Sequence, residues 1–502
     1  MAVDYVSAET TKLYKQSTGN GWILELLWGD RVRTSTRRNG RTKVKARGQE
    51  GWVRTSDLDG QSLLELYFID VGQGDGVLVR TPDHRHILID GGWRRRSQTT
   101  LKSAADFVDW KFRKDYGKTK IKLDAMITSH NDADHYGGLW DLLGADEDDE
   151  LDCNEVLVEV MYHAGVSWWR GSGDSRKNLG PKTQTADGTF LSSLLEDRAD
   201  VVTRLNDNAD PKLVGHWAEY LDAVTKTKRF NRTTPTKVER VSHLTGHLPD
   251  FGPGQDPIPG ERHGDVAIKV LAPVEYEING RPVLRSHGGD SKNTNGNSVM
   301  LRLDYGRARV LLTGDLNAAA QKALLNDYDG QRLEFQCDVA KACHHGSEDV
   351  SYEFLSAMSP SVTVISSGDN EGHDHPRANI IAASATTGHL EIDDDQLVSP
   401  LIYSTELARS VSFGEPQKLT SQDEGFEIDD KAGLKGTVVE YTETKAGDLH
   451  PRRRKRNLGD TLIVAGLIYG LVNVRTDGET ILCATRNEKD ASWKVKKVTS
   501  RF

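Results

Sequence analysis

The sequence predicts a layered α/β sandwich preceded by a small all-β module. Three observations predict it. Strand-like runs concentrate at both ends of the main body with helical spacing between them, polar residues of metal-ligand type follow several of those strands directly, and the first sixty residues differ in composition from the rest. A strictly alternating parallel sheet would show a different order.

At 502 residues the chain is long enough for two to four folding units of roughly 100–200 residues each. Its 36% apolar and 28% charged residues, with 47 glycines and 15 prolines, exclude collagen-like, proline-rich and wholly disordered chains. A formal net charge of -10 argues against non-specific coating of nucleic acid or anionic membrane, while leaving room for local basic patches. Residues 1–19 are polar and the longest apolar stretch, 461–474, is too short to span a bilayer, so a cytoplasmic chain without a membrane partner is expected. Cys153, Cys337, Cys343 and Cys483 are scattered and form no C-x-x-C pair, which fits buried reduced thiols better than a disulfide framework.

Residues 1–60 carry eleven Lys/Arg against seven Asp/Glu and read as short β runs at 22–28, 31–35, 42–46 and 52–55, broken by Gly29-Asp30, Asn39-Gly40 and the 48–51 turn. This is the pattern of a small barrel. Residues 61–413 form the main body. It begins with strands at 63–71, 76–80 and 87–89, followed by helical spacing through Leu101, Ala105, Val108 and Phe112 and a short buried strand at 125–128. A strand pair at 297–304 and 308–313, a helix at 317–325, and strands at 337–342 and 362–366 follow. Segments 145–152 and 171–178 are charged and read as solvated loops. Residues 414–460 read as a polar insertion or linker whose run Arg452 to Arg456 could contact phosphates or simply be solvated. Residues 461–502 read as a hairpin that completes the main body.

The chemistry concentrates at strand exits. Ser129-His130-Asn131-Asp132-Ala133-Asp134-His135 places four ligand-type side chains in six positions, Thr313-Gly314-Asp315 ends a second strand, and Lys341 leads into His344-His345-Gly346-Ser347. A fourth exit runs into Gly372-His373 and His375. Imidazoles mixed with carboxylates suit zinc, manganese or iron. Each segment alone could be a hydrogen-bonded turn, but four exits with the same donor chemistry point to a metal.

With Phe68-Ile69-Asp70-Val71-Gly72-Gln73-Gly74-Asp75, Leu88 to Gly92, the Ser129 to Gly138 run, Asn297-Ser298, Thr313 to Asp315, His344 to Ser347 and Gly372-His373, the chain resembles the metallo-β-lactamase fold superfamily. Within it the motifs are most similar to soluble relatives of the ComEC hydrolase domain. The first sixty residues resemble the bacterial SH3-like family through Leu26 to Val32, Asn39-Gly40 and Gly51-Trp52-Val53. These resemblances imply an αββα sandwich after an SH3-like barrel, with two divalent metal ions, Zn or Mn, at one edge. They place His130 and Asp132 at one ion, Asp134, His135 and His345 at the other, and Asp315 between them. His373 is implied as a ligand or proton donor, with His344 and His375 as neighbours. Asp132 stands where most of the superfamily has histidine, which moves the preference toward manganese. The superfamily's further histidine has candidates in His163, His243, His247 and His287.

The resemblance implies a metal-dependent hydrolase, most directly a phosphodiesterase or nuclease in which metal-bound hydroxide attacks and Asp134 and His373 are catalytic. A nucleic acid or nucleotide is the expected substrate, with Lys341, Arg94 and Arg95 as its contacts. Hydrolysis of a nucleotide signal or small ester is the alternative, and a non-catalytic protein of a bacterial defence-type system that recruits a partner through the SH3-like module is a third reading.

Overall fold

The computed structural model describes residues 2–98, 103–144, 151–171, 176–254, 266–367, 375–405, 410–414, 416–421, 425–442, 453–460, 463–468, 470–487 and 491–502. The N-terminal segment forms a six-stranded sheet of β1 (Ala2–Tyr5), β2 (Thr10–Tyr14), β3 (Trp22–Leu27), β4 (Arg31–Arg38), β5 (Arg41–Ala46) and β6 (Gln49–Arg54), in the order β1-β4-β5-β6-β2-β3. Its own small core includes Leu13, Leu26, Val32, Val44 and Val53. Asn39 and Gly40, both at positive φ (54° and 73°), close the β4–β5 hairpin, as a two-residue turn requires. The strands β1 and β2 are additional to the four runs expected from the sequence.

Two larger sheets make the main body. The first comprises β7 (Leu64–Ile69), β8 (Val77–Arg80), β9 (His86–Ile89), β10 (Ala125–Thr128), Val160–His163 and Lys237–Arg240, extended by the late strands Leu471–Thr476, Thr480–Asn487 and Ser492–Thr499. Leu471–Thr476 pairs antiparallel with β7, although the two are some four hundred residues apart in sequence. The second sheet contains Val266–Ala272, Met300–Tyr305, Ala308–Leu312, Val339–Lys341, Val362–Ile365 and Leu401–Ser404. β7 shows how the layers arise. Leu64, Leu66 and Phe68 face the space between the sheets with Val270, Leu301 and Val310, while Tyr67 and Ile69 face the helices on the other side. Alternation at period 2 with both faces apolar gives the continuous hydrophobic run seen in the sequence.

Helices cover both outer faces. α1 (Ala104–Trp110), α2 (Ala133–Leu143) and Gly215–Lys226 pack on the first sheet. Ala318–Asp327, Tyr352–Met358 and Ala378–Thr387 pack on the second. The result is an αββα sandwich with three apolar layers. The helix expected through Phe112 is α-helical over Ala104–Trp110 and then passes into one wide turn at Lys111–Asp115. The basic run near Arg452 is partly a strand, Arg453–Asn457, paired with Val438–Thr442; Arg452 itself and segments 145–150 and 172–175 lie outside the described residues. Among the described residues, no helix is long and apolar enough to cross a membrane.

A buried ionic network holds the N-terminal sheet to the body. Arg475, fully buried, lies 2.8 Å from Asp30 and 3.7 Å from Glu65, and it donates to the Trp28 carbonyl at 2.6 Å and to Asn473 Oδ1 at 2.6 Å. Arg47 adds a second cation 2.8 Å from Asp30. Glu65 opens β7, whereas the 70–75 turn that reaches the candidate site closes it. The N-terminal sheet is therefore anchored at the end of β7 remote from that site.

Candidate metal centre

In both sheets the parallel strands end at one edge, and the ligand-type side chains project there. β9 delivers Asp90, β10 delivers Ser129 and His130, Ala308–Leu312 delivers Asp315, and Val339–Lys341 leads to His344 and His345. α2 starts within the motif and brings Asp134 and His135 in its first turn. A Cβ at Gly138 would overlap the Gly91 carbonyl, so only glycine lets α2 lie against the turn after β9. Asp90, His344 and His345 hold positive φ of 56°, 48° and 52°, a conformation that costs a non-glycine residue free energy and is found at functional sites.

The structure brings Asp134, His135, Asp315 and His345 together, one donor atom from each lying within 4.8 Å of the others. Asp315 Oδ2 is 3.2 Å from His135 Nε2 and 2.9 Å from His345 Nε2. Asp134 is 3.9 Å from His135 Nε2 and 3.6 Å from His345 Nε2. His130 stands beside them, its ring 4.0 Å from that of His135, with Asp132 Oδ2 3.7 Å from its Nε2.

The three buried imidazoles share one arrangement. His135 Nδ1 is held by Asp90 Oδ2 at 2.9 Å, His345 Nδ1 by Asp75 Oδ1 at 3.1 Å, and His130 Nδ1 by the hydroxyls of Ser129 and Ser298 at 3.0 and 3.2 Å. Each ring thus presents Nε2 to the centre, and the buried Nε2 atoms of His130 and His345 have no hydrogen-bond partner of normal geometry. Fixing one ring nitrogen so that the other faces a cation is how metal-ligating histidines are supported. The donor set and these orphaned nitrogens fit a divalent transition ion.

The electrostatics agree. Burial pushes Asp315 up, but His345, His135 and Lys341 outweigh it and hold the carboxyl well below its usual range. Burial, then the Asp134 charge, raises Asp132 to about 7. Burial also drives His130 well down, leaving it neutral. Burial lowers His135 and His345 as well, yet the Asp315 charge, with Asp90 or Asp75, carries both well above the ordinary range. Three carboxylates crowded into one buried pocket favour a bound cation, which would displace the imidazole protons.

Other sequence expectations fall differently. Lys341 is 2% exposed and spent on internal partners: it ion-pairs with Asp75, donates to the Gly314 carbonyl at 2.9 Å and lies 3.5 Å from Asp315. A strand buried on both faces requires its ammonium to be paired, and these partners meet that need for Lys341. Arg94 and Arg95 have internal partners too. Arg94 is 3.1 Å from Asp141 and stacks on Trp140, and the buried Arg95 pairs with Asp106. Asp141 lies two turns along α2 from Asp134, about 10 Å away at 1.5 Å per residue. His373 lies outside the described residues; His375 is described, its ring 5.8 Å from that of His344. His344 Nε2 is 3.9 Å from Asp315, at the rim of the cluster.

None of the four candidates for a further histidine joins the cluster. His163 Nδ1 accepts from the Gly165 amide, His243 Nδ1 from the Glu275 amide, His287 packs on Gly296, and His247 lies beside Lys269. Thr294 and Asn295 lie beside the cluster. Thr294 donates to Asp132 Oδ2 at 3.0 Å, and the Asn295 amide lies 3.3 Å from His344 Nε2. The only signal for them in the sequence is their closeness to Asn297-Ser298.

Asp90→Asn is expected to weaken metal affinity about 10- to 100-fold, the usual cost of losing a carboxylate that orients a ligand histidine. Competition with a chromophoric chelator measures it, and wild-type affinity in the variant would remove Asp90 from that role.

Fold and site together define a metallohydrolase of αββα architecture. The family model of the metallo-beta-lactamase superfamily matches residues 69–368, and the chain belongs to that superfamily. Over part of its length it is similar to ComE operon protein 3 of Bacillus subtilis (strain 168), 29% identical over 100 residues, and to competence protein ComA of Neisseria gonorrhoeae, 39% identical over 83 residues. These stretches cover 20% and 16% of this chain and 12% of each relative. Similar solved structures include a diphosphatase of the PhnP family (13% identity, 63% of this chain and 89% of that chain, TM-score 0.27). A metallo-beta-lactamase motif mutant from Cronobacter sakazakii is another (14% identity, 56% and 77%, TM-score 0.24).

Proposed function

We propose that the chain is a phosphodiesterase or nuclease that uses two divalent ions, manganese or zinc, on a nucleic acid or nucleotide substrate. The observation that carries this reading is the oxygen-rich donor set, with Asp132, Asp134 and Asp315 joining His130, His135 and His345 at one edge. The similarity to competence proteins supports the substrate class. Bound ions would supply Lewis acidity and a nucleophile at neutral pH. The chain's own residues do the rest. Asp315 lies between the imidazoles, Asp90 and Asp75 fix the tautomers of His135 and His345, and Asp134 is set to orient the attacking water. His373, which lies outside the described residues, is the proposed donor to the leaving oxygen, and His344 and His375 are the described histidines at the rim.

The test is cleavage of single- and double-stranded DNA, RNA and cyclic dinucleotides by the full chain with manganese or zinc, beside Asp134→Ala. Cleavage of at least one phosphodiester, reduced about a thousandfold in the variant, is expected. Hydrolysis confined to carboxylic esters would overturn the reading.

A further inference from the structure

A cleft with strongly basic walls lies away from the metal centre. It lies between the N-terminal sheet and the main body, has a volume of about 1230 Å³, and is lined by twelve Lys and Arg side chains against four carboxylates, in a chain of net charge -10. Glu65, Arg80 and His86 form its floor, so it sits at the ends of β7 and β9 from which the strands run toward the metal-bearing edge. From His86 to Asp90 the chain advances four residues, about 13 Å at 3.3 Å per residue. One phosphate cannot touch both places.

The floor charges neutralise one another: Asp30 pairs with Arg47, Glu65 with Arg80, and Asp115 with Lys111. The walls do not. Arg31, Arg33 and Lys45 on one side, and Arg113, Lys118 and Lys122 on the other, are exposed and have no carboxylate partner within 4.0 Å among the described residues. Arg33 and Lys45 are direct cross-strand partners, and Arg31 projects from the same face two residues earlier. Like charges placed opposite one another on a sheet are destabilising unless an anion lies across them. Aromatic surface is interleaved with the charge. Trp110, 37% exposed, lines the cleft, and Lys122 lies 5.0 Å above the Phe230 ring.

We infer that this cleft is a nucleic-acid binding site, separate from the metal centre, that holds a single strand through its phosphates and stacks a base on Trp110. A basic groove with interleaved aromatic faces is how sequence-tolerant single-strand binding is built, whereas an acidic protein partner would make no use of the exposed indole. The inference extends the proposed phosphodiesterase by giving its substrate an anchoring surface, and it stands on different residues.

The experiment is fluorescence anisotropy of a labelled oligothymidylate with the full chain in EDTA, where no cleavage intervenes. Arg33→Ala with Lys45→Ala, and Lys118→Ala with Lys122→Ala, are each expected to weaken binding about tenfold at ~100 mM salt. Each pair should lower the slope of log affinity against log salt by roughly 1.4, at about 0.7 per phosphate contact, with an unchanged thermal midpoint. Trp110→Ala should weaken binding about fivefold or more with little change in that slope. Absence of wild-type binding, wild-type affinity in both paired variants, or equal competition by polyglutamate, which would assign the cleft to an acidic protein, overturns the inference. Binding by a chain that cleaves no phosphodiester would sink the proposed activity and leave the cleft assignment standing.

Discussion

Asp315→Ala is expected to abolish hydrolysis, with a loss of about a thousandfold or more, equivalent to about 4 kcal/mol of transition-state stabilisation. Asp315 is the carboxylate on which the site converges, within 4 Å of His135, His345, His344 and Lys341. No neighbour can replace it: Asp75 and Asp90 already hold the far nitrogens of two imidazoles, and Asp134 reaches the centre from the other side. Metal content and turnover of the purified variant check this, with its circular dichroism spectrum showing that it folds. A variant that keeps a tenth of wild-type turnover would remove Asp315 from the machinery.

Arg475→Met is expected to cost about 3–5 kcal/mol of stability, the usual consequence of stripping one member from a buried ionic network. The substitution preserves most of the side-chain volume but leaves Asp30 and Glu65 with fewer counter-charges. Burial pushes Glu65 up, and Arg475 followed by Arg80 overrides it, holding the carboxyl at about 2 against an ordinary 4.5. A depressed carboxyl contributes stability that is fully present above pH 4.5 and is lost as pH falls toward 2. The variant should therefore unfold at lower urea than wild type at pH 7, with a smaller difference at pH 3. Equal midpoints at pH 7 would show that the network contributes nothing.

The layered α/β class was legible because local signals carried it. The run from Leu63 to Val71 announces a strand buried on both faces, and the polar residues after it announce a functional edge. His130, Asp132, Asp134, His135, Asp315 and His345 could be named from the sequence because each follows a strand or opens α2. What supports them could not be paired. Asp75 meets His345 across 270 residues, and Arg475 meets the Trp28 carbonyl across 447, and no local pattern encodes such partnerships. For Lys341, Arg94 and Arg95 the sequence shows a charge without showing the carboxylate folded against it. Thr294 and Asn295 carry no metal-donor signature, and their place beside Asp132 and His344 emerges only when the two sheets meet. The cleft is a product of docking: its walls lie some seventy residues apart in sequence, and neither is exceptional alone.

The central claim is that the edge of the sandwich is a dinuclear metal centre. Its most direct test is the metal content of the full chain, by mass spectrometry, after loading with manganese or zinc and removal of excess ion. Two ions retained per wild-type chain, and loss of that stoichiometry in Asp315→Ala, is the predicted result. A folded wild-type chain that retains none would contradict it.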